Sequence, residues 1–179
     1  MSERAFDIKR NWLNRPLCSV LFRKHGVAVV HYIIFENAIK ATVKISVVAK
    51  AFDSPPIVYG SLVAQYSNYE YPTSFQKNYW RNVLFEEPQE KDARHLSEDG
   101  EIPLSKNVVS VPMGLSLVID VNLHVNVRRS ARATNDSLDV CTAEHFKDNV
   151  EFEIGGIKCK KLLGEYYDVH FSTEWTNGR

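Results

Sequence analysis

Residues 115–127 read LSLVIDVNLHVNV, placing Leu115, Leu117, Ile119, Val121, Leu123, Val125 and Val127 on one phase and Ser116, Asp120, Asn122, His124 and Asn126 on the other. A period of two over that length belongs to a β-strand with one face in a core and the other in water, because successive side chains leave a strand on opposite sides. Residues 39–50 repeat the pattern, with Ala41, Val43, Ile45, Val47 and Ala49 inward and Lys40, Thr42, Lys44 and Ser46 outward. Residues 150–154 and 167–173 alternate as well. Residues 27–35 and 57–65 carry apolar side chains in both phases, which predicts central strands covered on both faces.

Turn-forming residues separate these runs: Lys24-His25-Gly26, Asp53 to Pro56, Pro112-Met113-Gly114, and Gly155-Gly156 leading into Ile157 to Lys160. Six strands divided in this way predict an all-β antiparallel sandwich or flattened barrel. Helix is expected only over residues 2–13, where Ser2 is a candidate cap and Ala5, Ile8, Trp12 and Leu13 form an apolar stripe, and as one turn over residues 142–147. The chain reads as one domain, residues 1–179, with an N-terminal extension over residues 1–16.

Residues 67–102 break the rhythm. An aromatic stretch with Tyr69, Tyr71, Phe75, Tyr79 and Trp80 precedes a polar tract, residues 86–95, that no core could absorb. This segment reads as a long loop excursion holding one strand over residues 80–85. Residues 86–98 are expected to be mobile, and replacing them with a short link is expected to cost about 1 kcal/mol or less, since loop-closure entropy varies slowly with length.

The 179 residues include 22 basic and 22 acidic side chains, so no global field draws the molecule to nucleic acid or to an acidic membrane. The charge is uneven: residues 1–50 hold nine basic and three acidic groups, residues 51–102 four and nine. The N-terminal residues lack the apolar segment of a secretory signal, and the longest apolar run is far short of the roughly 20 residues of a membrane helix. Cys18, Cys141 and Cys159 are too few and too dispersed for a disulfide framework. A cytoplasmic, reducing setting is expected, with the thiols as core residues.

No motif supplies chemistry. The glycines do not form a phosphate loop, and neither Gly60-Ser61 nor Gly114-Leu115-Ser116 completes a nucleophile elbow. The six histidines lack metal-ligand spacing, and the loop acids Asp53, Asp136, Asp139 and Asp148 come singly rather than as a calcium loop. His124 and His170 fall on the wet phase of their strands. No catalytic residue, metal or cofactor is therefore expected.

Two surface features remain as binding candidates. One is aromatic, Tyr69, Tyr71, Tyr79 and Trp80, suited to anchoring a protein partner or stacking on sugar rings. The other is basic, Arg128, Arg129 and Arg132 after one strand and Lys158, Lys160 and Lys161 in another; these make one patch for phosphate or RNA if the strands are neighbours.

The order of these segments, VAVVHYIIFENAIKATVKISV from Val27, VYGSLVA from Val58, GEIPL from Gly100, VVSVP from Val108, the strand from Leu115 and the closing strand from Val169 to Trp175, resembles the C-terminal half of an uncharacterised plant family found mostly in grasses. The similarity spans residues 17–176. Some members of that family are labelled jasmonate-induced or carry a ribosome-inactivating domain ahead of this one. The resemblance implies a stress- or defence-related protein and no catalytic residues, and the family's usual preceding half is missing here. Glu90 and Arg94 do not have the Glu-x-x-Arg spacing of a ribosome-inactivating glycosidase. The function expected from the residues and the resemblance together is a non-enzymatic interaction module that binds a protein partner through the long loop, with carbohydrate or RNA as rival ligands.

Overall fold

A computed structural model describes residues 13–14, 16–50, 55–67, 82–128 and 141–176; the side chains of Pro16, Arg23, Val127, Arg128, Cys141 and Thr142 are outside the description. The described residues form eleven strands: β1 (Pro16–Arg23), β2 (Gly26–Ile33), β3 (Ala38–Ala49), β4 (Ile57–Tyr66), β5 (Asn82–Glu87), β6 (Arg94–His95), β7 (Val108–Pro112), β8 (Leu117–Arg128), β9 (Cys141–Phe152), β10 (Ile157–Leu163) and β11 (Tyr167–Thr176). All pairings between them are antiparallel.

Two sheets face each other as an open sandwich. One has the order β10-β11-β3-β7, the other β5-β4-β8-β9 with β6 also paired to β4. The chain crosses between the sheets after β3, β6, β7 and β9. The alternating phases set this up: Ala41, Val43, Ile45 and Val47 of β3, Leu117, Ile119, Val121, Leu123 and Val125 of β8, and Tyr167, Val169 and Phe171 of β11 are all buried in one core. Burial of this apolar area is the main force joining the layers. Residues 100–107 extend the edge of β3 before β7 begins, through Val47 N–H to the Gly100 carbonyl (2.9 Å), Ile102 N–H to Ile45 (2.9 Å) and Val43 N–H to Asn107 (2.7 Å). Gly100 is required there: its φ is +68°, and a Cβ would run into the Val47 carbonyl.

Three expectations change. The turn of helix over residues 142–147 is instead part of β9, paired to β8 from Arg128↔Cys141 to Leu117↔Phe152. Its inward phase, Glu144, Phe146, Asp148, Val150 and Phe152, contains two acids, which hides the period. Glu144 is inward because it accepts hydrogen bonds from the backbone N–H groups of Glu165, Tyr166 and Tyr167 at the turn into β11, tying one sheet to the other. The helix expected over residues 2–13 lies outside the described residues except for Leu13, which makes an isolated bridge to Ile34.

Residues 27–35 are not a covered central strand. Among the described residues β2 pairs only with β1, and this two-stranded ribbon leaves Val27 60%, Val29 49% and Val30 42% exposed. Finally, the acidic tract is fastened down. β5 runs to Glu87, β6 pairs Arg94 with Val58 and His95 with Ile57, the Arg94 guanidinium meets Glu87 at 2.6 Å, and Leu96 is buried in the core. The side chains of residues 86–95 are mostly exposed, but their backbone completes the edge of β4, so residues 86–98 are structural.

Candidate functional site

The aromatic residues Tyr69, Tyr71, Tyr79 and Trp80 and the basic residues Arg129 and Arg132 lie outside the described residues. Arg128 ends β8 in one sheet, whereas Lys158, Lys160 and Lys161 belong to β10 in the other. The strands are not neighbours, because β9 takes the free edge of β8 and the turn at Gly155-Gly156, which is not a hairpin between paired strands, then carries the chain across the sandwich. Within β10 the lysines also divide. Lys158 and Lys160 share register with the buried Thr173 and Phe171, so they overhang the core side of the sheet, and the Lys160 ammonium lies 5.8 Å from the Phe152 ring centroid. Lys161 shares register with His170 on the outer face.

That arrangement is edge protection. An exposed strand edge offers unpaired N–H and C=O groups to any passing strand, and lysines turned inward, short strands and proline all discourage such pairing. β10 has its lysines; β9 carries Glu144, Lys147, Asp148 and Glu151; β5 carries Glu86 and Glu87; β7 is five residues long and ends at Pro112. β2, with the sequence GVAVVHYI, has neither a charge nor a proline along its eight residues.

The ribbon that contains β2 is apolar on both faces. The register Cys18↔His31, Val20↔Val29 and Phe22↔Val27 places these side chains together on one side, and Leu17↔Tyr32, Ser19↔Val30 and Leu21↔Ala28 on the other. Phe22 is 76% exposed. At its foot, Asn14 N–H donates to the Ile34 carbonyl and Phe35 packs edge-on against Tyr66, with ring centroids 5.5 Å apart. Ser67, where the aromatic segment begins, follows directly. Cys18 and Cys159 are both exposed thiols rather than core residues, since each occupies an edge strand away from the sandwich interior.

On the outer face of the second sheet, register aligns Tyr59 of β4, His124 of β8 and His145 of β9. The three rings stand parallel like books, with centroids 4.6 Å apart for Tyr59 and His124 and 4.0 Å for the two histidines. His145 Nε2 is 2.7 Å from Asn122 Oδ1. Burial, and then the neighbouring His145, push the His124 imidazole below its ordinary pKa. Stacked rings present faces to each other and cannot converge their nitrogens on one ion. Among the described residues no group of three His, Cys, Asp or Glu side chains could hold a metal. Sequence reading had His124 in the correct phase but missed Tyr59 and His145, whose alignment depends on register.

The sequence as a whole matches the family described as "Domain of unknown function (DUF6598)" over residues 1–171. The chain belongs to this family. The matched range includes the segment ahead of β1. No curated protein and no solved structure matches the chain. No helix among the described residues of this DUF6598 chain is long and apolar enough to cross a membrane.

Proposed function

We propose that this DUF6598 chain is a non-enzymatic interaction module that binds a protein partner by accepting a strand from it along β2. The observation that carries the reading is the contrast in edges: the other described sheet edges hold charges or proline, while β2 holds neither and projects from the sandwich with both faces of its ribbon apolar. Strand addition draws affinity from main-chain hydrogen bonds and specificity from alternate side chains, which here are Val27, Val29 and His31 on one face. An isolated two-stranded ribbon is marginal in water, and a third strand relieves that weakness.

The aromatic residues Tyr69, Tyr71, Tyr79 and Trp80, which lie outside the described residues, remain candidate contacts for the same partner, because they follow Ser67 in the chain and are of the type that anchors protein interfaces. The resemblance to cereal proteins labelled jasmonate-induced supports a plant stress or defence setting, and the two exposed thiols suit a reducing cytoplasm.

The test is pull-down from plant extract with the intact chain and with Val29→Pro, which removes an N–H on the free edge of β2 while sparing the bonds to β1, followed by hydrogen exchange on the complex. The proposal requires capture of a partner that protects the β2 amides, with at least about a tenfold loss in Val29→Pro. Protection elsewhere with β2 still exchanging freely overturns it. So does retention of ligand only on a glycan array or only on RNA, which would transfer the function to the aromatic or the arginine residues.

A further inference from the structure

The outer face of the β10-β11-β3-β7 sheet carries a groove of about 420 Å3, inside the range of roughly 300–1,000 Å3 found for small-molecule sites. Its floor is a cross-strand row that sequence order conceals. Lys161 of β10 pairs with His170 of β11, His170 with Ser46 of β3, and Ser46 with Glu101 on the segment that extends the edge of β3. One line across the strands therefore runs ammonium, imidazole, hydroxyl, carboxylate. A parallel row beside it adds Ser172 and Lys44, paired to each other in register.

Among the described residues, no ion pair joins Lys161, Lys44 or Glu101 to another side chain. The other nearby charges are engaged. Asp99 accepts from the Ser97 hydroxyl at 2.5 Å and from the Glu101 N–H at 3.2 Å, and Asp168, next outward-facing residue to His170 on β11, is paired with Lys50 at 2.8 Å. The groove thus has separated, unsatisfied charge at its two ends, positive at Lys161 of β10 and negative at Glu101, with Lys44 beside the row on β3, the strand next to Glu101. With three strand spacings of about 4.8 Å, the outer backbones stand roughly 14 Å apart, and the long Lys161 and Glu101 side chains narrow that span to the reach of a small molecule.

From this row we infer that the groove binds a small amphoteric ligand, with a phosphoryl or carboxyl group held by Lys161 and His170 and an ammonium or hydroxyl donor held by Glu101. Ser46 and Ser172 supply hydroxyls between the ends. Salt-dependent affinity follows from the exposure of the lysines. The site is separate from the β2 edge and stands whether or not a strand binds there.

Titration calorimetry of the intact chain tests it with three probes: inorganic phosphate, phosphoethanolamine and β-alanine. Phosphoethanolamine should bind at least about fivefold tighter than phosphate, since it alone of the two engages Glu101. Comparison with β-alanine shows whether the anion preferred at Lys161 is phosphoryl or carboxyl. Lys161→Ala should weaken all three probes by about tenfold, and Glu101→Gln should remove only the advantage of the amine. Lys147→Ala, on the opposite sheet, should change nothing. His170→Asn provides a second probe of the anion end should Lys161→Ala alter melting. The inference is overturned if none of the three binds below roughly 10 mM, if phosphate and phosphoethanolamine bind equally, or if Lys161→Ala and Glu101→Gln leave all affinities unchanged.

Discussion

The β1–β2 ribbon and the β3–β11 pair are built from similar residues and reach opposite environments. β3 reads AIKATVKISVVA and buries Ile39, Ala41, Val43, Ile45 and Val47; β2 reads GVAVVHYI, is richer in apolar residues, and buries none of them below the level of a half-covered strand. The difference lies in partners. β3 is hydrogen-bonded on both edges and buries its inward face in the core shared by the two sheets, whereas among the described residues β2 pairs with β1 alone. Local hydrophobicity shows that a segment can be buried, and only the rest of the chain determines whether it is.

The largest expected effect breaks this comparison directly. Ile45→Asp places an unpaired carboxylate in the core at a cost of several kcal/mol and should abolish the cooperative urea transition, while Val29→Asp on the ribbon should shift stability by about 0.5 kcal/mol or less. Equal losses in the two variants would mean that the ribbon is covered. A smaller effect concerns the acidic tract. Leu96→Ala should cost about 2–3 kcal/mol because it empties a core position held by β6 and the loop after it. A change below about 0.5 kcal/mol by chemical denaturation would show that the tract is dispensable after all.

The smallest effect is in acid. Because the His124 imidazole sits below its ordinary pKa in the fold, the unfolded chain takes up a proton first as pH falls. The stabilising contribution of neutral His124 is complete above the ordinary value near 6.5 and is lost as pH drops through the lower folded value. His124→Asn should therefore flatten the fall in melting temperature below pH 6.5, and His145→Asn should do so only in part, since burial and not the neighbouring ring is the larger cause. Parallel melting curves for wild type and His124→Asn across this range would remove the stacked pair as a source of acid sensitivity.

Much of the sandwich was legible in advance. The phases of β3, β8 and β11 were read from alternation, because that signal is local, whereas the turn residues Gly155-Gly156 suggested a tight hairpin where the chain in fact changes sheet. β9 was hidden for a physical reason: Glu144 faces inward to hold three backbone N–H groups of a distant turn, and that service breaks the apolar period. The candidate sites were less legible. Lys44, Ser46, Lys161 and His170 each read as wet-phase residues, but nothing in their spacing brings them to one row with Glu101.

By itself, then, the sequence determined that this protein is an antiparallel all-β domain, which side chains of its longest strands face the core, and that it carries none of the familiar spaced motifs of catalysis or metal binding. These follow from a strand's period of two and from the conformational demands of turns, properties that act over a few residues. Tertiary structure alone decided that the most apolar hairpin lies outside the core, that Lys158 and Lys160 of β10 turn toward it, and that Lys161 and Glu101 close the two ends of one groove. The groove depends on which strands pair, and in what register, between segments 55 to more than 100 residues apart, such as Ser46 with Glu101 and with His170. Pairing at such separation is set by the collective burial of the whole core rather than by any local preference.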